Sequence, residues 1–268
     1  MASSGYHAHT KLEHKNTHMN GSPTAQGLRA HLPLAPQNEA NFRWRGEHVS
    51  RMEGFTDAVF ALAVTFLVVS LEVPRNYEAL LDVVRNLPAF VICFAILMTF
   101  WNAHFRFHRR YGLQDLFSRI MTMAILVLVL FFVYPLKFLF TLVTVNLFQL
   151  AMHDPPHLEQ AAQGDVLYLI YGLGFAGIWG LYALLYWHTL RKREQLQLTP
   201  IELVQTRGSF CEYLVHIGVC ALSILLAFTT DDNSLPGLIY FLIGPAQWAV
   251  GSYFGRQYDA LVRQLKAG

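Results

Sequence analysis

Side chains that can exchange hydrogen bonds or protons stand at the ends of two apolar stretches of this chain. They are Arg51, Thr56 and Asp57 at the first stretch, and Trp101, Asn102 and His104 at the second. Ionisable groups within a membrane cost free energy, roughly 2.5–3.5 kcal/mol for Asp or Arg at a helix centre, and they persist where they are paired or used. These residue types therefore indicate either a hydrogen-bonded network or a proton relay.

The composition predicts a membrane protein around these groups. Hydrophobic residues make up 54% of the 268 residues and charged residues only 14%, whereas about a quarter of a soluble domain is charged. Most of the apolar segments approach the roughly 20 residues that a hydrocarbon core of about 30 Å requires. The six segments are 55–73, 87–105, 117–139, 166–187, 213–228 and 235–254. Pro135 predicts that the third one kinks or ends.

Lys and Arg are concentrated at one end of these segments. They lie before the first segment, after the second and fourth, and after the sixth, while the opposite loops carry mostly Asp and Glu. By the positive-inside rule both termini are cytoplasmic, which requires an even number of spans. We therefore predict an all-α, multi-pass, six-helix bundle over residues 43–258. The basic residues are spread over loops at membrane ends, so the net charge of +2 does not indicate binding of nucleic acid.

The two ends of the chain are predicted to lie outside the bundle. Residues 1–42 are polar and rich in His, and their irregular spacing without Cys favours a disordered cytoplasmic tail over a metal site. No apolar core follows a basic start, as a signal peptide would require. Residues 259–268 are predicted to form a cytoplasmic C-terminal tail.

The motif Arg51-x-x-x-Phe55-Thr56-Asp57 resembles the Arg-x-x-x-Phe-Ser-Asp signature of the endosomal/lysosomal potassium channel family, transmembrane protein 175. The apolar run 58–65 is similar to the first helix of that family. The segment Phe100-Trp101-Asn102-Ala103-His104 looks like its Phe-Trp-x-x-His element, and Tyr134-Pro135 resembles its Leu-Pro. The similarity covers roughly residues 51–140, and the last three segments match by hydropathy only.

Two positions depart from the family pattern. Thr56 stands where Ser is usual, and it keeps the hydroxyl group and its hydrogen bonds. Phe66 stands where a smaller aliphatic residue is usual.

The resemblance implies a homotetramer of the single-repeat bacterial type, with the first helix lining a central pore for potassium ions. The matching positions are Leu62 for the narrowest apolar constriction and Thr65 for a polar ring that tunes selectivity. Leu62, Phe66 and Val69 share one helix face by their spacing, so we assign all three to the constriction. Such a pore passes a hydrated or partly hydrated cation and closes by dewetting, without a carbonyl-lined filter.

The resemblance also implies the setting of the channel. It places the chain in a bacterial-type inner membrane, in contact with lipid, and requires neither a cofactor nor enzyme chemistry. Other monovalent cations and protons are further candidates for permeation.

We predict that the polar residues form one network that orients the first helix. Its members are Arg51, Phe55, Thr56 and Asp57 on that helix and Trp101, Asn102 and His104 on the second. The alternative is a plain helix start beside an interfacial aromatic belt.

Two other functions remain open at this point. One is a proton-coupled secondary transporter in which Asp57 and His104 relay protons, although no internal repeat is evident. The other is a haem protein that pairs His216 with His104 or His108, for which a satisfied core histidine is the favoured alternative.

Overall fold

The computed structural model describes residues 42–46, 48–69, 74–150, 161–230 and 235–267. Its helices are α1 Arg51–Val69, α2 Tyr77–Arg85, α3 Leu87–Tyr111, α4 Leu116–Phe148, α5 Ala161–Arg191, α6 Pro200–Thr229, α7 Leu235–Leu238 and α8 Ile243–Ala267. The prediction of an all-α protein is confirmed. Of the predicted N-terminal tail, only Phe42 is among the described residues, and it is fully buried against Tyr111.

Five helices of the described chain are long and apolar enough to cross a membrane, namely α1, α3, α4, α5 and α6. The sixth predicted segment, 235–254, is divided between α7, a 3-10 helix at Ile239–Leu242 and the first half of α8. Pro245 lies within this segment and lacks the backbone N–H that a continuous helix would donate to the carbonyl of Phe241, directly after the 3-10 turn. The six-span arrangement therefore stays a prediction. Residues 259–267 of the predicted tail continue α8.

The third predicted segment continues beyond Pro135, and α4 ends only at Phe148. A proline within a helix removes the backbone hydrogen bond from its own nitrogen to the carbonyl four residues earlier, here that of Phe131. The Tyr171 hydroxyl of α5 donates to the Pro135 carbonyl oxygen, which ties the two helices together at this point.

The helices pack in chain order. α1 lies against α3 and α4, α5 lies between α4 and α6, and α6 contacts α8. Large aromatic side chains fill the centre, and the fully buried ones include Phe100, Phe107, Tyr111, Tyr182 and Tyr186. Their polar atoms are paired, since the Tyr182 hydroxyl donates to Phe100 O at 2.7 Å and the Tyr111 and Thr206 hydroxyls lie 2.8 Å apart. This packing fixes α3 against α5 and α6, and so holds the surface on which α1 rests.

Candidate functional site

The two long faces of α1 have different surroundings. The buried face consists of Glu53, Thr56, Phe60, Ala63 and Leu67. The opposite face consists of Phe55, Ala58, Leu62, Thr65 and Val69, and all five are exposed. Both sets repeat every three or four residues, as the faces of an α-helix do. Because α3 and α4 cover only the first face, the second forms a continuous exposed strip on a single protomer, which we call the α1 stripe.

The α1 stripe differs in composition from the exposed surface of α4. Leu62 is 43% exposed, and Ala58 and Ala61 lie exposed beside it. On α4 the exposed side chains include Val127 and Phe131, at 66% and 73%. Small residues are typical of surfaces that other helices approach closely. The stripe is therefore suited to close assembly or to a narrow aqueous path.

Thr65 is the hydroxyl-bearing member of the α1 stripe. Its Oγ1 donates to the Ala61 carbonyl oxygen at 2.9 Å, within the same helix. A hydroxyl group has one hydrogen to donate and two lone pairs to accept with. Since the hydrogen is used, the exposed oxygen presents its lone pairs outward and can act as a ligand for a cation.

Phe66 lies beside the α1 stripe and contacts α4. Its ring stacks on that of Tyr134 with centroids 6.3 Å apart, and the side chain is half-buried. Leu62, Thr65 and Val69 thus share the exposed face, while Phe66 takes part in packing within the protomer.

Asp57 and Trp101 are the two members of the predicted network that bond to each other. Trp101 Nε1 donates to Asp57 Oδ1 at 2.8 Å, and the Trp101 ring stacks on Phe105 at 5.6 Å. This bond joins the first turns of α1 to α3. That this bond orients α1, and with it the α1 stripe, stays a prediction.

The remaining predicted members take no part in that bond. Arg51 and Asn102 are exposed, as is Phe55. Thr56 and His104 are buried, and within the described chain Thr56 Oγ1 and His104 Nε2 have no hydrogen-bond partner. The His104 ring lies 4.2 Å from that of His108, one turn later on α3. Asp57 and His104 therefore differ in environment, one exposed and the other buried.

A capping box fixes the start of α1. Ser50 N donates to Glu53 Oε2 at 2.7 Å, and Glu53 N donates to Ser50 Oγ at 3.1 Å. The other carboxylate oxygen of Glu53 lies 3.7 Å from Arg109 Nε near the end of α3. Sequence reasoning missed Glu53, although the pattern Ser50-x-x-Glu53 before an apolar run is a readable signal for it.

The segment before α1 is held by a buried ion pair with α6. Arg45 Nη2 lies 2.8 Å from Glu202 Oε2 and Nη1 lies 3.2 Å from Oε1, so the pair is bidentate. The Glu202 carboxylate also accepts from the backbone N–H groups of Arg43 and Thr199. Residues 43–46 are thereby fixed across the ends of α3 and α6, just before α1 begins. The sequence reasoning missed this pair as well.

A second ionic contact joins the start of α4 to the end of α5. Asp115, which precedes α4, accepts from Ser118 Oγ at 2.7 Å and lies 2.8 Å from His188 Nε2 and 3.4 Å from Lys192 Nζ. Burial raises the pKa of Asp115, but hydrogen bonds from Ser118, His188 and Lys192 outweigh it and lower the pKa to about 2.

His216, the partner considered for a haem pair, is engaged in the core. Its ring stacks on Trp179 at 4.4 Å, and its Nδ1 lies 2.8 Å from Glu212 O and 3.0 Å from Gln247 Nε2. Among the residues that the structure covers, no group of three or more His, Cys, Asp and Glu is placed to hold a metal ion.

Comparisons with known proteins identify the family to which the chain is similar. Residues 51–135 match the model of the family described as endosomal/lysosomal potassium channel TMEM175. A protein of Marivirga tractuosa named potassium channel is 31% identical over 239 residues, covering 83% of this chain and 94% of the relative.

A solved structure is also similar. It is the crystal structure of a variant of the potassium channel MtTMEM175 in complex with a nanobody–MBP fusion protein. The TM-score is 0.72 at 30% identity, with 84% of this chain and 100% of the other chain covered.

Proposed function

Because this chain belongs to the endosomal/lysosomal potassium channel family TMEM175, we propose that it forms a potassium-permeable pore walled by the α1 stripe. The family and the relative are potassium channels rather than enzymes. The observation that carries the proposal is the exposed face of α1, where Leu62, Thr65 and Val69 lie on one line. In a pore, Leu62 forms the constriction and Thr65 a ring of hydroxyl oxygens beside it.

The stripe requires several copies of the chain to enclose a path. One α-helix with its side chains is about 10–12 Å across, and a single α1 offers only one such wall. We propose a homotetramer in which four α1 stripes face a common axis. Small residues such as Ala58 and Ala61 favour this close approach.

The proposed constriction is apolar, so it offers no ligand to a bare ion. A cation passes Leu62 with part of its hydration shell, and closure follows from the loss of water between the four side chains. The outward lone pairs of Thr65 replace some of that shell, which favours potassium over the more tightly hydrated sodium. We further propose six spans and cytoplasmic termini, on the distribution of Lys and Arg, and a bacterial-type inner membrane, on the resemblance to the single-repeat members of the family.

Ion flux from liposomes tests the proposed function. The purified protein is reconstituted under a potassium gradient, and flux is measured with potassium and again with sodium in its place. The proposal predicts a potassium-favouring flux that needs no proton gradient, and a particle mass of four chains in detergent. Flux that requires a proton gradient would instead favour the transporter.

The Thr65→Val variant tests the proposed ring of oxygens. It preserves the shape of the side chain and removes the lone pairs, so the potassium-to-sodium flux ratio should fall. Replacing Thr229, an exposed threonine at the end of α6 whose hydroxyl is likewise bonded within its own helix, by Val is the matched control and should leave the ratio unchanged.

A further inference from the structure

A cavity lies where α3, α6 and α8 meet, away from the α1 stripe. Its volume is about 230 Å³, and its polar lining includes Arg106 and Arg110 of α3, Gln205, Ser209 and Glu212 of α6, and Tyr258 of α8. Arg106 and Arg110 belong to the last turns of α3, the end of the bundle that carries most of the basic residues. Basic cavities between membrane helices at that end suit the phosphate groups of lipids.

Two polar atoms of this cavity are buried and unpaired. Within the described residues, Arg106 Nε has no hydrogen-bond acceptor and Gln205 Oε1 has no donor. An unsatisfied buried polar group costs about 1–3 kcal/mol, and more when it is charged. The Arg106 Nε donor and the Gln205 Oε1 acceptor therefore each lack a complementary group in the described part of the chain.

The other polar groups of the cavity indicate which chemical groups a ligand bound there must carry. Arg110 is held in place by a bond from Nη1 to Ser209 Oγ at 3.3 Å and lies 5.0 Å from the centre of the Phe42 ring. Glu212 borders the same cavity, and in the part of the chain that is described it forms no ion pair with Arg106. A bare phosphate would meet this carboxylate unfavourably, whereas a hydroxyl or ammonium group would donate to it.

We propose that this cavity binds a phosphoryl group that carries a hydroxyl or ammonium donor, supplied by a phospholipid headgroup such as phosphatidylglycerol. The phosphate accepts from Arg106 and Arg110 as charge-assisted hydrogen bonds. The headgroup hydroxyl or ammonium donates to Gln205 Oε1 and the Glu212 carboxylate. The acyl chains remain in the bilayer beside α6 and α8.

Binding is tested with the full-length protein in detergent, by native mass spectrometry and by the midpoint temperature of thermal unfolding. The probes are dihexanoyl phosphatidylglycerol, dihexanoyl phosphatidylcholine, glycerol 1-phosphate and inorganic phosphate. We expect phosphatidylglycerol to bind saturably and to raise the midpoint. Phosphatidylcholine, which lacks the donor, should bind at least about tenfold more weakly, equivalent to about 1.4 kcal/mol.

Three variants locate the site. Arg106→Gln should weaken phosphatidylglycerol binding about tenfold or more, equivalent to about 1.4 kcal/mol. Gly255→Leu keeps every charge but extends a side chain from the cavity lining, where a Cβ atom meets no neighbour within 4 Å, and it should weaken binding similarly. Arg207→Gln removes an exposed arginine of α6 that does not line the cavity, and binding should stay unchanged.

The outcomes separate the sources of phosphate. Equal phosphatidylglycerol binding by the parent protein, Arg106→Gln and Gly255→Leu overturns the site. Binding of glycerol 1-phosphate or inorganic phosphate that depends on Arg106, with none of phosphatidylglycerol, overturns the lipid source. The binding measurements do not depend on ion flux, so they test the lipid site independently of the proposed channel function.

Discussion

The Trp101 indole of α3 donates a 2.8 Å hydrogen bond to the Asp57 carboxylate of α1. The two residues are 44 positions apart in the chain, and their bond joins the helix that carries the α1 stripe to the helix beside it. Rotation of α1 about its own axis by the angle between two successive residues would break this hydrogen bond. The orientation of the stripe and the integrity of this contact are therefore linked.

Asp57→Asn and Trp101→Phe should each reduce thermal stability in detergent by about 1 kcal/mol, because each weakens the same hydrogen bond. Flux should fall with stability, while the potassium-to-sodium ratio stays near that of the parent protein. A double-mutant cycle measures the coupling. Additive losses would show that the two side chains act independently and would contradict the proposed role in orienting α1.

Glu202→Gln should destabilise the protein by about 3–5 kcal/mol, because it leaves the buried Arg45 guanidinium without its charge partner. The Glu202 side chain is 1% exposed. The control is Glu194→Gln, which removes an exposed carboxylate 3.9 Å from Arg193, and it should have no measurable effect. Comparable thermal midpoints for the two variants would show that the Arg45–Glu202 pair does not fix residues 43–46.

The contribution of Asp115 to the stability of the folded protein should decrease as the pH is lowered. Its pKa is lowered to about 2 by its contacts with Ser118, His188 and Lys192, whereas the ordinary value for Asp is 3.8. A lowered pKa means that the contribution is complete above about pH 4 and is lost as the pH falls towards 2. The parent protein should therefore be more stable than Asp115→Asn at pH 5, and the difference should shrink towards pH 2. A constant difference across this range would contradict the assignment.

Phe66→Leu separates packing from permeation. Loss of the stacked Tyr134 contact should cost about 0.5–1.5 kcal/mol of stability. Since Phe66 lies beside the α1 stripe rather than on it, flux through folded protein should change little. A large change in flux at unchanged stability would instead place Phe66 in the constriction, as the sequence pattern predicts.

The parts of this structure that follow from sequence are those with local signals. Hydropathy locates α1, α3, α4, α5 and α6. It misses the division of segment 235–254, because hydropathy carries no information about the backbone N–H that Pro245 lacks. The pairing of Asp57 with Trp101 was within the predicted network, since both stand at the same end of adjacent apolar segments.

The contacts that sequence reasoning missed are of two kinds. The Ser50–Glu53 capping box has a local pattern and was readable. Arg45 and Glu202 lie 157 positions apart, and nothing near either residue indicates its partner. The contact of Phe66 with Tyr134 is also of this second kind, because it joins α1 to α4. Spacing puts Phe66 near Leu62 on an ideal helix, and only the position of Tyr134 on α4 decides that it turns inward.

Potassium flux through Leu62→Ala tests the central claim most directly, because it widens the proposed constriction and leaves the Asp57–Trp101 contact in place. The control is Leu225→Ala, the same change at an exposed leucine of α6. The account predicts that Leu62→Ala raises flux about tenfold, equivalent to a barrier lower by about 1.4 kcal/mol, while Leu225→Ala matches the parent protein. Equal flux from the parent protein and both variants, at equal folding and assembly, would contradict a pore walled by the α1 stripe.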